Sequence, residues 1–201
     1  DLTFALKRIT KHLQRSRREK LVTQAPDFYL QHLHITESYD QLQGCALVIE
    51  CTLENLDIKK SVYSKIEAVI DKNALLASNT SAIPISILQQ QTTHPSRFFG
   101  LHWAEPSHTT RFLEVICGNE SDIAKGEYLY ELSHLWGKEP TLVRKDIRGF
   151  ITNRIMYAMY REAISLVEQG YATVEDVDRA CRNNAGYWMT LVGVFRWMDL
   201  T

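Results

Sequence analysis

Four side chains in this sequence have the types and spacing for proton transfer at a hydroxyl group. His102 ends the run Gly100-Leu101-His102, and Glu114 lies 12 residues further on, inside the apolar stretch Phe112–Ile116. Imidazole titrates near neutrality, so a histidine is suited to taking a proton from a hydroxyl. A carboxylate on its other ring nitrogen fixes the tautomer and stabilises the imidazolium that forms. Ser81 closes the segment Leu75–Ser81 (LLASNTS), 21 residues before His102, and Asn153 lies in Arg148–Arg154 (RGFITNR). A hydroxyl and an amide of this kind can hold an oxygen whose charge is changing. Each residue alone has a plainer reading. A lone histidine is more often a surface or core residue, Ser81 could cap the helix that Pro84 opens, and Asn153 could be an ordinary polar residue in a helix's first turn.

The elements that must position these groups follow from periodicity. Residues 1–20 read as an amphipathic helix with Leu2, Ala5, Ile9 and Leu13 on one stripe and a basic end, Arg15 to Lys20. Leu33–Thr36 is a short candidate strand, and Ala46–Cys51 is a continuous apolar run expected of a strand buried on both faces. Asn55–Ile70 repeats Leu56, Val62, Ile66 and Val69 at helical spacing. Strands at Ala74–Asn79, Phe98–His102, Phe112–Cys117 and Thr141–Arg144 then alternate with helices at Pro84–Gln91 and Asp122–Trp136. That alternation predicts βαβ units and a mostly parallel sheet. From Phe150 onward the pattern is helical: Ile151–Glu168, then Thr173–Ala185 with Thr173 as N-cap and Asp176 in an acidic capping box, then an apolar segment from Thr190.

Composition sets the outer limits. A chain of 201 residues, 45% hydrophobic and 23% charged, has enough apolar material for a core. A net charge of −1 gives no footing for nucleic acid or an anionic membrane. The apolar runs are strand-sized, so no membrane span is expected, and the charged opening does not read as a signal peptide. Cys45, Cys51, Cys117 and Cys181 lack metal-ligand spacing and read as reduced core thiols of a cytoplasmic protein. His32, His34, His94, His108 and His134 show no ligand spacing either, so no metal site is expected.

Taken together, LLASNTS, Gly100-Leu101-His102, FLEVI around Glu114, RGFITNR and the earlier Val48–Lys60 (VIECTLENLDIKK) resemble, in order and spacing, the L-3-hydroxyacyl-CoA dehydrogenase family. The resemblance runs from about Asp1 to Leu200. It implies a partial Rossmann-type, mostly parallel α/β sheet over residues 1–147, followed over 148–201 by the start of an all-α C-terminal domain. It further implies an NAD-dependent oxidation of a 3-hydroxyacyl-CoA to the 3-ketoacyl-CoA, as in fatty-acid β-oxidation. His102 would be the general base, Glu114 its orienting partner, and Ser81 and Asn153 contacts to the substrate oxygen, Ser81 also neighbouring the nicotinamide. Glu54 and Lys59 match positions near the nicotinamide-side ribose; without the resemblance both read as solvated charges at a helix start. The helical part would carry a homodimer contact.

The sequence departs from that family in places. After the histidine it reads Trp103-Ala104-Glu105-Pro106, with Glu105 where an Asn usually holds the nicotinamide amide. A carboxylate can accept from that amide's NH2 but cannot donate to its carbonyl. The next stretch, Ser107–Arg111, is polar where the family is often apolar, and Arg111 could meet a carboxylate or phosphate. Gly186–Leu191 (GYWMTL) replaces a Gly-aromatic-Pro-Met-Gly-Pro segment with bulkier side chains. A dehydrogenase for a free 3-hydroxy acid, or a non-catalytic interaction module, are the alternative readings. None of the nine glycines forms a GxGxxG loop, and the alternation opens on a helix instead of a strand. The expectation is therefore a chain truncated at both ends that alone binds NAD weakly or not at all and is inactive.

Overall fold

The structure, a computed structural model, describes residues 2–201. They divide into two compact units, the first ending at Asp146 and the second running Ile147–Thr201. In the first unit five strands form one sheet in chain order: β1 (Leu47–Glu50), β2 (Leu75–Ser78), β3 (Phe98–Trp103), β4 (Phe112–Cys117) and β5 (Glu139–Val143). β1 and β2, β2 and β3, and β4 and β5 pair in parallel, whereas β3 and β4 run antiparallel. Parallel neighbours need a crossover of a dozen or more residues. The connection from Trp103 to Phe112 is shorter than that, so β4 returns directly beside β3. The mostly parallel α/β architecture expected from the alternation is the one observed.

The crossovers are helices with clear start signals. α3 (Leu56–Glu67) is capped by Asn55, which accepts from the Ile58 N–H at 3.0 Å. α4 (Ile85–Gln89) leads to β3, and α5 (Ile123–Leu135) is capped by Asp122, which accepts from the Ala124 N–H at 3.0 Å. Before the sheet come α1 (Leu2–Arg18), with Arg15, Arg17 and Arg18 in its last turn, and a short α2 (Pro26–Leu30).

Strand alternation gives the sheet two unlike faces. On one, Leu75, Ala77, Phe99, Leu101, Leu113, Val115 and Cys117 form an apolar cluster with Leu129 of α5. On the other, buried Leu76, Phe98 and Ile116 alternate with Ser78, His102 and Glu114. Glycine allows two close approaches. A Cβ at Gly100 would stand 2.8 Å from Ile85 Cδ1 of α4, and one at Gly126 would stand 2.5 Å from Cys117 Sγ.

The second unit is helical: α6 (Thr152–Glu168), α7 (Val174–Ala180), α8 (Gly186–Leu191) and α9 (Val194–Leu200). Gly149 and Phe150, both at positive φ (79° and 48°), lead into α6. Thr173 caps α7 as the capping-box pattern predicts, accepting from the Asp176 N–H at 3.2 Å. No helix among the described residues is long and apolar enough to cross a membrane.

Several expectations need correction. Leu33–Thr36 forms no strand. Leu33 and His34 are exposed, and a four-residue alternation without a neighbouring strand to pair with has little reason to stay extended. The helix expected over Thr173–Ala185 ends at Ala180, and Cys181–Ala185 widens into a π-turn. Gly186 accommodates that turn, because a Cβ there would lie 2.9 Å from the Cys181 carbonyl oxygen. The apolar tail splits at Gly193, whose φ of 75° separates α8 from α9. All four cysteines are free, but Cys117 alone of them is buried; Cys51 and Cys181 are exposed. Cys51 follows the last residue of β1 and so leaves the sheet, which an unbroken apolar run does not reveal.

Candidate active site

His102 and Glu114 face each other directly across the antiparallel β3–β4 pair. Side chains of opposed residues in such a pair project from the same face of the sheet. His102 Nδ1 lies 2.9 Å from Glu114 Oε2. A carboxylate accepts only, so Nδ1 carries the hydrogen, and in a neutral imidazole the lone pair then sits on Nε2. Glu114 is fully buried, and His102 nearly so. Phe112, two residues before Glu114, meets the imidazole edge-to-face with centroids 5.7 Å apart and planes at 90°. The ring is thereby held by a hydrogen bond and by packing. Beyond the last β2–β3 pair, Ser78 with Gly100, the Asn79 side chain accepts the Trp103 N–H at 3.1 Å. Asn79 thus extends the ladder past the point where its backbone stops and fixes the peptide next to His102.

A second cluster occupies the same sheet face at the ends of β1 and β2, where Glu50 and Ser78 are in register. Glu50 and Lys59 are both buried, and Lys59 Nζ lies 3.0 and 2.9 Å from the two Glu50 carboxylate oxygens. Glu50 also accepts from Ser78 Oγ at 2.7 Å, Tyr63 Oη at 3.0 Å, Thr52 Oγ1 at 2.6 Å and the Thr52 N–H. Burial alone would push the Glu50 carboxyl up, but the bonds from Thr52, Ser78 and Lys59 outweigh it and hold it below the usual glutamate range. Burial and the Ser78 bond act in opposite senses on Tyr63; burial prevails, and its phenol is held well above the ordinary value.

Glu54 joins this cluster to the turn that carries Ser81. Its Oε2 is 3.5 Å from Lys59 Nζ. Its Oε1 accepts from Thr80 Oγ1, from the Ala82 N–H at 3.1 Å and from the Ile83 N–H at 3.3 Å. Partial burial pushes the Glu54 carboxyl up, and these bonds together with the Lys59 charge bring it below the ordinary value. The reading of Lys59 as a solvated helix-start charge is therefore wrong: the residue points back into the sheet and is 1% exposed. In the same turn Thr80 Oγ1 receives the Ile83 N–H at 3.0 Å, and the Ser86 N–H at the start of α4 goes to Asp146 at 2.7 Å.

Glu105 is exposed in the connection between β3 and β4. That connection is tied down by Lys138, whose Nζ reaches the carbonyls of Ser107 and Thr110, and by Thr110 Oγ1, which donates to Ala104 O at 3.2 Å. Arg111, just before β4, pairs with Glu139 at 2.8 Å on the surface, both about two-thirds exposed. Asn153 belongs to the helical unit, as the second residue of α6, and is half-buried. Among the described residues no group of three or more His, Cys, Asp or Glu is placed to hold a metal ion.

Sequence reading missed Glu50, Asn79, Phe112 and Lys138. For Glu50 a signal existed: a charged residue inside a buried strand must have a partner, and a lysine nine positions on was the available cation.

Comparison with known proteins identifies the family and the fold. Residues 1–147 match the NAD binding domain of 3-hydroxyacyl-CoA dehydrogenase, and residues 149–201 match its C-terminal domain. The 5-formyl-3-hydroxy-2-methylpyridine 4-carboxylate 5-dehydrogenase of Mesorhizobium japonicum is 37% identical over 161 residues, covering 80% of this chain and 52% of that protein. Human mitochondrial hydroxyacyl-coenzyme A dehydrogenase is 34% identical, covering 82% of this chain and 51% of its own. Among solved structures, (S)-3-hydroxybutyryl-CoA dehydrogenase from Ralstonia eutropha superposes with a TM-score of 0.86 at 29% identity, over 92% of this chain and 65% of that one. The chain thus spans about half the length of the first two relatives. Two consecutive domain matches across nearly all its residues, on a sheet of the same architecture, establish that the chain belongs to the 3-hydroxyacyl-CoA dehydrogenase family.

Proposed function

We propose that the natural polypeptide carrying these residues is an NAD-dependent dehydrogenase that oxidises the 3-hydroxyl of a 3-hydroxyacyl-CoA to the ketone. The observation that carries this reading is the cross-strand pair, with His102 Nδ1 held by Glu114 at 2.9 Å. With Nδ1 occupied, His102 Nε2 accepts the hydroxyl proton, and the Glu114 carboxylate balances the imidazolium. In the reverse direction the imidazolium returns that proton to the ketone oxygen. The Ser81 hydroxyl is suited to holding the oxygen as it gains or loses charge, and the Asn153 amide, which the family resemblance assigns the same role, has matching chemistry.

The donor set suits the nicotinamide half of NAD. The Glu54 carboxylate is 40% exposed and lies past the carboxyl end of β1, the edge where open α/β sheets take ligands. It can accept from ribose hydroxyls, with Lys59 behind it, while Glu105 can accept from the nicotinamide amide. The bound nicotinamide supplies the acceptor for the hydride that leaves the carbinol carbon. Pyrophosphate recognition needs backbone N–H groups of a Gly-rich turn, and these 201 residues contain no GxGxxG. A homodimer formed through the helical unit completes the reading, supported by exposed Tyr157, Met159, Phe195 and Met198.

A second reading is favoured by one observation. The Mesorhizobium relative at 37% identity is named for a pyridine carboxylate, not a thioester. Following NADH absorbance with acetoacetyl-CoA and, separately, free 3-keto acids decides between them. The thioester reading predicts a kcat/KM at least about a hundredfold higher for acetoacetyl-CoA. Equal or better turnover of a free keto acid would replace it with the second reading, and turnover of neither would refute both.

A further inference from the structure

Glu50 has no place in the chemistry described above, yet it is a heavily bonded side chain of the sheet's polar face. It accepts from Lys59, Thr52, Tyr63 and Ser78, and it is 3% exposed. A buried ammonium left without a counter-charge is costly. Lys59 is only 1% exposed, so its position depends on a carboxylate at Glu50. From there its Nζ reaches Glu54 Oε2 at 3.5 Å. The other oxygen of Glu54 gathers Thr80 Oγ1, the Ala82 N–H and the Ile83 N–H, bracketing Ser81 on both sides.

We propose that Glu50 is a positioning residue: through the Lys59 ammonium it aims the Glu54 carboxylate, and through Glu54 it fixes the turn over residues 80–83 that presents Ser81. The chain of contacts is continuous and alternates in charge, carboxylate to ammonium to carboxylate to backbone N–H. Its far end is the part-exposed carboxylate suited to ribose hydroxyls. Cofactor contact and the Ser81 turn are therefore set by one buried acid that touches neither substrate nor cofactor. As far as it concerns catalysis, this inference rests on the dehydrogenase reading; as far as it concerns the turn, it does not.

Amide hydrogen exchange tests the turn directly. In Glu50→Gln, Glu54→Gln and the double variant Glu50→Gln/Lys59→Met, exchange at Ala82 and Ile83 is expected to quicken by about tenfold or more over the unsubstituted protein. The double variant leaves neither buried charge without its counter-charge, so strand amides of β3 and β4 are expected to keep their protection in it. Should Glu50→Gln alone unfold, the double variant carries the decision. A purely structural Glu50–Lys59 pair predicts the opposite: neutralising both restores the turn together with the core. Parent-like exchange at Ala82 and Ile83 in the double variant, or in a folded Glu50→Gln, overturns the proposal. In the natural polypeptide, kcat for a 3-hydroxyacyl thioester is expected to fall on the order of tenfold to a hundredfold in the double variant, with thioester KM within about twofold. An unsubstituted protein without turnover would refute the dehydrogenase reading, and the exchange result would still judge Glu50.

Discussion

The sheet unit and the helical unit of this chain hold their residues in opposite ways. In the first, apolar side chains fill one face of the sheet, and nearly every buried polar group on the other meets several partners. In the second, none of the four helices buries a residue, and Tyr157, Tyr160, Phe195, Met198 and Leu200 are open to solvent. Helices of this length draw most of their stability from packing of an apolar face. The difference teaches where substitutions should matter. Sites in the sheet are over-determined, so a small change leaves a group stranded, whereas sites on the helices lose only local terms.

Among substitutions that leave His102 in place, the largest effect should come from Glu114→Gln, which keeps the size of the side chain while removing its charge. The amide can turn its NH2 toward His102 and favour the wrong tautomer. Turnover is expected to drop on the order of a hundredfold to ten-thousandfold, measured as kcat with the fold checked by circular dichroism. Next comes packing. Gly126→Ala would set a methyl 2.5 Å from Cys117 Sγ, where α5 lies against β4, and should destabilise the sheet unit by about 1–3 kcal/mol in urea unfolding.

Acid sensitivity should follow the sheet's carboxylates. Glu50 and Glu54 are held below the ordinary 4.5 in the folded protein. The unfolded chain therefore binds more protons through that window, and stability rises with pH there. Their contribution is complete above the ordinary value and is lost as pH falls through the lower folded values. Urea midpoints taken from about pH 6 to about pH 3 should fall less steeply in Glu50→Gln/Lys59→Met than in the parent. The smallest effect belongs to the helical unit: Thr173→Ala, which removes the cap of α7, should cost about 1 kcal/mol of that helix and leave the sheet amides unchanged in hydrogen exchange. A larger loss there, or a negligible one for Gly126→Ala, would break the contrast between the units.

The pairing of His102 with Glu114 was legible in the sequence because it is local. Two apolar alternations separated by a short polar stretch can only return antiparallel, and the register then sets the two side chains opposite each other. Helix starts were legible for the same reason: Thr173 and its acidic partner lie within one turn. What was not legible depends on distant partners. Lys59 reads as a surface charge unless Glu50, nine residues earlier, is recognised as buried, and the Ser78 bond that completes that cluster spans 28 residues and forms only when β1 and β2 pair. Arg111 reads as a free cation until β5 brings Glu139 beside it. Cys51 reads as core because an apolar run does not tell where its strand ends.

The central claim is that His102 transfers the proton. The most direct measurement is the rate of NAD-linked oxidation of a 3-hydroxyacyl-CoA by the natural polypeptide and its His102→Gln variant, with cofactor affinity measured in parallel. The account predicts a loss in kcat on the order of a thousandfold or more with NAD affinity within about threefold of the parent. A His102→Gln enzyme retaining more than about a tenth of the parental kcat would contradict it.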